Sequence, residues 1–110
     1  MKAIGTEDDW ISFTAGEPVK GYWNYIIFDR SNSLDNEFEY VDISYGGGHH
    51  QHKANIYVRD GNSGASFKMS NSRLAHSQGY GLLLLKNYIN FVDGGGNAYA
   101  GNELGDIQDE

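Results

Sequence analysis

The chain has no cysteine among its 110 residues, which excludes disulfide scaffolds, thiolate metal sites and cysteine nucleophiles. Basic residues are scarce, 8 against 15 acidic, and the net charge of −7 disfavours a phosphate-binding surface, so nucleic acid is not an expected partner. Long apolar runs are missing too. The longest, Tyr25 to Phe28 and Leu82 to Leu85, fall far below the ~20 residues needed to span a bilayer. No apolar stretch follows Lys2, so Met1 to Gly5 does not read as a secretion signal, and a signal for an exported parent would lie outside this chain. No window places apolar residues at i, i+3, i+4 and i+7 between caps, so helices are not expected. Nucleophile-elbow, phosphate-loop and zinc-helix motifs are absent, and no cofactor is implied.

What remains is rich in glycine (15) and tyrosine (8) with a single proline, a composition of strands and turns. Short alternating segments occur at Ile11 to Phe13, Tyr25 to Phe28, Phe38 to Ile43, Asn55 to Val58, Phe67 to Met69 and Gly81 to Leu85. Their spacing is regular. Ile26-Ile27-Phe28 recurs as Ile56-Tyr57-Val58 and again as Leu82-Leu83-Leu84. A second series runs Phe13, Ile43, Leu74 and Leu104, and Phe38 to Ile43 aligns with Met69 to Leu74.

Coils of roughly 26 to 31 residues, whose equivalent strands stack in parallel about 4.8 Å apart, account for both series. The expected fold is therefore all-β: a short right-handed parallel β-helix of about three to four coils, with residues 1–110 forming one domain. Gly46 to Gly48 and Gly94 to Gly96 are expected at corners, as are Ser70, Asn71 and Ser72. A β-sandwich or jelly roll is the alternative, but two-residue Asn-Gly or Asp-Gly hairpin loops are lacking, and Asp60-Gly61 sits in a longer loop. So few coils expose unpaired strand edges over an apolar core. The acidic tail, residues 101–110, is expected to blunt the C-terminal edge. If the chain is complete, a homo-oligomer closed through its coil ends is expected.

Several segments carry a family resemblance. Ala3-Ile4-Gly5-Thr6-Glu7 followed by Ile11-Ser12-Phe13-Thr14, then Glu39 to Gly47, then Met69 to Ser72 with Gly79-Tyr80-Gly81-Leu82, resemble successive turns of bacterial right-handed parallel β-helix repeat proteins of the pectate-lyase-like superfamily. The resemblance covers most of residues 2 to 85 and is more specific for fold than for function. It implies an exported or cell-surface setting and a non-catalytic module with polysaccharide as the expected ligand class. The alternatives it leaves are a fragment or relative of a polysaccharide lyase or hydrolase, and a structural oligomerisation module.

Three groups of residues are candidate sites. His49, His50 and His52 could share a metal ion with a carboxylate such as Asp42, although a solvated loop is the simpler reading. Asp29, Arg30 and Asp42 suit a catalytic carboxylate arrangement. One coil's offset instead sets Asp29 against Arg59, Arg30 against Asp60 and Asp42 against Arg73, as ladder pairs between coils. Among the many aromatics, Trp23, Tyr25, Tyr45, Tyr57 and Tyr80 are the candidate sugar-stacking residues. Trp23 and Tyr25 are expected to share a face by strand parity, and Tyr88 belongs to the same tyrosine-rich set.

Overall fold

Each short run of β-branched or aromatic residues ends at a residue that turns the chain through a corner, and four circuits of three such runs build the molecule. The computed structural model describes residues 1–59, 65–85 and 89–109. The first coil holds β1 (Lys2–Ile4), β2 (Ile11–Phe13) and β3 (Ile26–Asp29). The second holds β4 (Glu37–Glu39), β5 (Val41–Ser44) and β6 (Ala54–Arg59), and the third β7 (Ala65–Ser70), β8 (Arg73–Ala75) and β9 (Tyr80–Leu85). The fourth holds β10 (Ile89–Asp93), β11 (Ala98–Ala100) and β12 (Gly105–Asp109).

Equivalent strands pair into three sheets, β1-β4-β7-β10, β2-β5-β8-β11 and β3-β6-β9-β12. Every strand pairing in them is parallel, so the chain is a parallel β-solenoid of about four turns and not a sandwich. The expected register holds through three coils: Ile26 pairs with Ile56 and then Leu82, and Phe13 with Ile43 and then Leu74. It fails in the fourth. Tyr99, not Leu104, continues the series from Leu74. The circuit from β8 to β11 is shorter than that from β5 to β8 mainly because the corner between β8 and β9, residues 76–79, is shorter than the corner between β5 and β6, residues 45–53, and loop length is weakly constrained by the sheets it joins. Leu104 is exposed in the corner before β12. Residues 105–109 of the acidic tail are that strand, which completes the third sheet against β9.

Inward-facing residues of successive coils stack into one core. Phe38, Val41, Ile43, Ile56, Val58, Met69, Leu74 and Leu82 are all 0 % exposed, and burying each stabilises the fold by about 1.5–3 kcal/mol. At its centre Phe28, Phe38 and Phe67 contact one another, with Phe28 and Phe67 stacked at 4.8 Å and Phe38 edge-on to Phe67 at 5.2 Å. Burial is complete only in the two middle coils. Ile11, Phe13 and Ile26 in the first coil, and Ile89, Phe91 and Tyr99 in the last, pack on the core with one side uncovered.

The corners are held by left-handed backbone and by buried polar side chains. At one corner Tyr40 (φ 54°), Asn71 (φ 48°) and Gly95 (φ 93°) succeed one another, and at the next Tyr45 (φ 67°), His76 (φ 53°) and Gly101 (φ 64°). Left-handed conformation costs a non-glycine residue about 1–2 kcal/mol. Side-chain contacts offset it: Tyr45 stacks on His76 at 5.1 Å, and Trp10 meets Tyr40 edge-on at 5.7 Å. Fully buried Asn55 accepts from Gly46 N–H and donates to the carbonyls of Ile43 and Ala75, tying the second coil to the third. Ser72 Oγ likewise accepts from Val41 N–H and donates to Ser70 O. At Gly79 the third coil runs so near the second that any Cβ would collide with the Lys53 carbonyl.

Candidate functional site

The outer face of the third sheet gathers the largest group of the expected site residues. Its central column is Ile27, Tyr57 and Leu83, whose strand parity points them away from the core. Tyr57 is nevertheless only 2 % exposed, because the segment from His49 to His52 folds back over it. The His52 ring stacks on Tyr57 at 4.6 Å, His49 lies parallel to His52 at 5.6 Å, and His50 follows His49 at 4.5 Å. Tyr25 closes the side of this column, 5.1 Å from His49 and 5.5 Å from Tyr57. Tyr80 packs against the same small cluster of Ala54, Tyr57 and Leu83. The histidine segment is thus an ordered cover for a tyrosine face, not a loop free in solvent.

Within the cover, His49 Nδ1 accepts hydrogen bonds from the backbone N–H groups of Gln51 (3.2 Å) and His52 (3.1 Å). That nitrogen must therefore be unprotonated, and the neutral ring carries its proton on Nε2. Partial burial, with the neighbouring charges of His50 and His52, holds the His49 pKa below its ordinary 6.5. His49 stacks on His52, and the His50 ring is tilted by 31° against His49. Among the described residues, no group of three or more His, Asp or Glu side chains is placed to hold a metal ion. Asp42, the carboxylate expected to complete such a site, stands on the second sheet against Arg73.

The acidic candidates are separated and engaged. Asp29 Oδ1 lies 3.9 Å from Arg59 Nε and 3.6 Å from Arg30 Nε, on the third sheet. Asp42 Oδ1 lies 3.5 Å from Arg73 Nη1, on the second. Glu37 bridges Lys2 and Lys68 at 3.8 and 3.9 Å across three coils of the first sheet. These are ladder pairs between stacked strands. Asp29 and Asp42 lie on different sheets, and nothing in their placement makes them a catalytic pair. The expected contact of Arg30 with Asp60, like Tyr88, lies outside the described residues.

Two of the five aromatic candidates fall elsewhere. Trp23 packs on the inner core and donates from Nε1 to the Ser44 carbonyl at 2.9 Å, while Tyr45 sits on its corner against His76. Trp23 and Tyr25 do not share a cluster, since both precede β3. There the Trp23 and Asn24 carbonyls accept from Gly48 and Gly47 N–H in a corner, and strand alternation does not apply. Sequence reasoning missed the first-coil cavity of about 280 Å³ lined by Phe13, Thr14, Tyr22, Trp23 and Ile26.

No protein-family model matches this chain, and no curated protein or solved structure matches it significantly. The site is therefore read from its own geometry.

Proposed function

We propose that the chain is a non-catalytic binding module of an exported or cell-surface protein, that carbohydrate is its ligand class, and that its contact surface is the outer face of the third sheet. The observation that carries this reading is the gathering of Tyr25, Tyr57, Tyr80, His49, His50 and His52 on one side of a rigid sheet. Aromatic and imidazole rings stack on the apolar faces of sugars and bring contact area at low entropic cost. Tyr25, Tyr80 and His49 are half-buried, held in place from below yet reachable from above. The ionisable residues near it, Asp29 and Arg59, are committed to each other. Placement among right-handed β-helix repeat proteins of the pectate-lyase-like superfamily belongs to the same proposal. It rests on the segments Ala3 to Thr14, Glu39 to Gly47 and Met69 to Leu82.

A glycan array followed by calorimetry with the best polysaccharide tests the reading. Tyr25→Ala and Tyr80→Ala should each weaken binding at least severalfold while leaving the circular dichroism of the solenoid unchanged. Failure of the chain to bind any polysaccharide would refute carbohydrate as the ligand class. Retention of full affinity in both variants would move the site elsewhere.

A further inference from the structure

The corner between β5 and β6, residues 45–53, is more than twice as long as its counterpart between β8 and β9, residues 76–79. Turning the chain does not need the surplus. The long corner is tied to the solenoid on both sides. Gly46 O accepts from Gln78 N–H, Gly47 and Gly48 N–H donate to the Asn24 and Trp23 carbonyls, and Lys53 O accepts from Tyr80 N–H. Between these ties, His49 to His52 make hydrogen bonds, among the described residues, only within the segment, both of them into His49 Nδ1. Ring contact alone seats the segment on the sheet: His52 on Tyr57 at 4.6 Å and His49 against Tyr25 at 5.1 Å.

Two features require His49 to be neutral. Protonated, its Nδ1 becomes a donor facing two backbone donors. Its ring also lies 4.5 Å from His50 and 5.6 Å from His52, so added protons would crowd like charges into one small patch. An imidazolium at His52 alone would sit well on the Tyr57 face, which leaves His49 as the trigger. No counter-charge stands ready. The rings face the phenols of Tyr25 and Tyr57, Lys53 closes the segment, and Asp29 on the same sheet is engaged by Arg30 and Arg59. Every ion pair among the described residues joins Lys or Arg to a carboxylate, none a histidine.

We propose that residues 49–52 are an acid-released cover, which hides Tyr57 while His49 is neutral and lifts from the sheet when His49 is protonated. Covered, Tyr57 is 2 % exposed. Released, it forms one strip with Tyr25, 5.5 Å away, and with exposed Ile27, its register partner on β3. The His49 pKa lies below its ordinary 6.5, so the cover is complete above pH 6.5 and is lost as pH falls through that lower value. Resting on the carbohydrate reading of this face, the cover implies a sugar held more tightly in acid, because a further ring becomes available for stacking.

Relaxation of the Tyr57 ring protons by a soluble gadolinium chelate tests the cover without any sugar. From about pH 8 to about pH 5 it should rise severalfold toward that of exposed Tyr22, while the circular dichroism of the solenoid holds. His49→Asn, whose Oδ1 accepts at every pH, should keep Tyr57 shielded at the acid end. His49→Lys, which can only donate, should expose it already at the alkaline end. Should His49→Lys fail to fold, the parent and His49→Asn titrations still decide. Equal shielding of Tyr57 across the range overturns the proposal, as does equal acid exposure in the parent and in His49→Asn. Calorimetry with cellohexaose, a neutral oligosaccharide, then judges the carbohydrate reading separately. Affinity that rises severalfold in acid, and stays level in His49→Asn, supports both. Release of Tyr57 with no cellohexaose bound at either pH leaves the cover standing and counts against carbohydrate. Release with unchanged affinity places the sugar away from Tyr57 and overturns the link between cover and ligand.

Discussion

Replacing Asn55 tests whether a buried corner amide, and not the apolar core alone, holds successive coils in register. The side chain is 0 % exposed, and its orientation is fixed by its partners: Gly46 N–H can only donate to Oδ1, and the carbonyls of Ile43 and Ala75 can only accept from Nδ2. Asn55→Ala leaves Gly46 N–H buried without an acceptor, which costs about 1–3 kcal/mol. The two lost bonds from Nδ2 add about 0.5–1.5 kcal/mol each, though Ala75 O keeps a bond from Tyr45 N–H. The expected loss is roughly 2–5 kcal/mol, a large share of the ~5–15 kcal/mol typical of a domain. Urea unfolding should show a lower midpoint at unchanged slope, and the melting temperature should fall by roughly 10–20 °C. Asn55→Asp keeps the acceptor for Gly46 but sets a carboxylate against two carbonyls, so its defect should shrink on acidification, when the protonated acid can donate once. Exposed Asn24→Ala is the comparator and should cost less than about 0.5 kcal/mol. An Asn55→Ala variant within 1 kcal/mol of the parent would refute the assignment of the corner to this amide.

Three further outcomes are expected. Arg73→Glu, opposite Asp42 at 3.5 Å, should destabilise by about 0.2–1 kcal/mol in low salt and by less as salt is added; an unchanged melting temperature in low salt would remove the ladder role. The Tyr99 hydroxyl is buried with no hydrogen-bond partner among the described residues, and burial, with Asp93 and Asp106 nearby, pushes its pKa up to about 12 from 10. The stability contributed by the neutral phenol is therefore complete below pH 10 and lost between 10 and about 12. Tyr99→Phe should delete a phenolate absorbance step at the alkaline end, and no change there would contradict this. For His49, whose pKa is lowered, the contribution of the neutral ring is full above pH 6.5 and declines as pH falls through its lower folded value. Protonating Nδ1 removes the acceptor of Gln51 and His52 N–H, so their amide exchange should rise on acidification beyond the intrinsic change, and His49→Ala should abolish that pH dependence.

Strand identity, parallel stacking and the ladder pairs Asp29–Arg59 and Asp42–Arg73 were legible in the sequence, because period-2 alternation repeated at a near-constant offset specifies both the inward face and the neighbour across coils. The same logic misplaced Leu104, since the shortened corner between β8 and β9 breaks the offset without breaking the fold. It also missed β1, β10, β11 and β12, all of them strands of the two end coils. What only the tertiary structure decided was where corner residues go. Alternation governs a side chain inside a strand, but Trp23, Tyr25 and His49 to His52 lie outside strands, and their placement follows from left-handed turns and hydrogen bonds to a neighbouring coil. For that reason the histidine segment became a cover over Tyr57, and Trp23 and Tyr25 parted to opposite sides of the same wall.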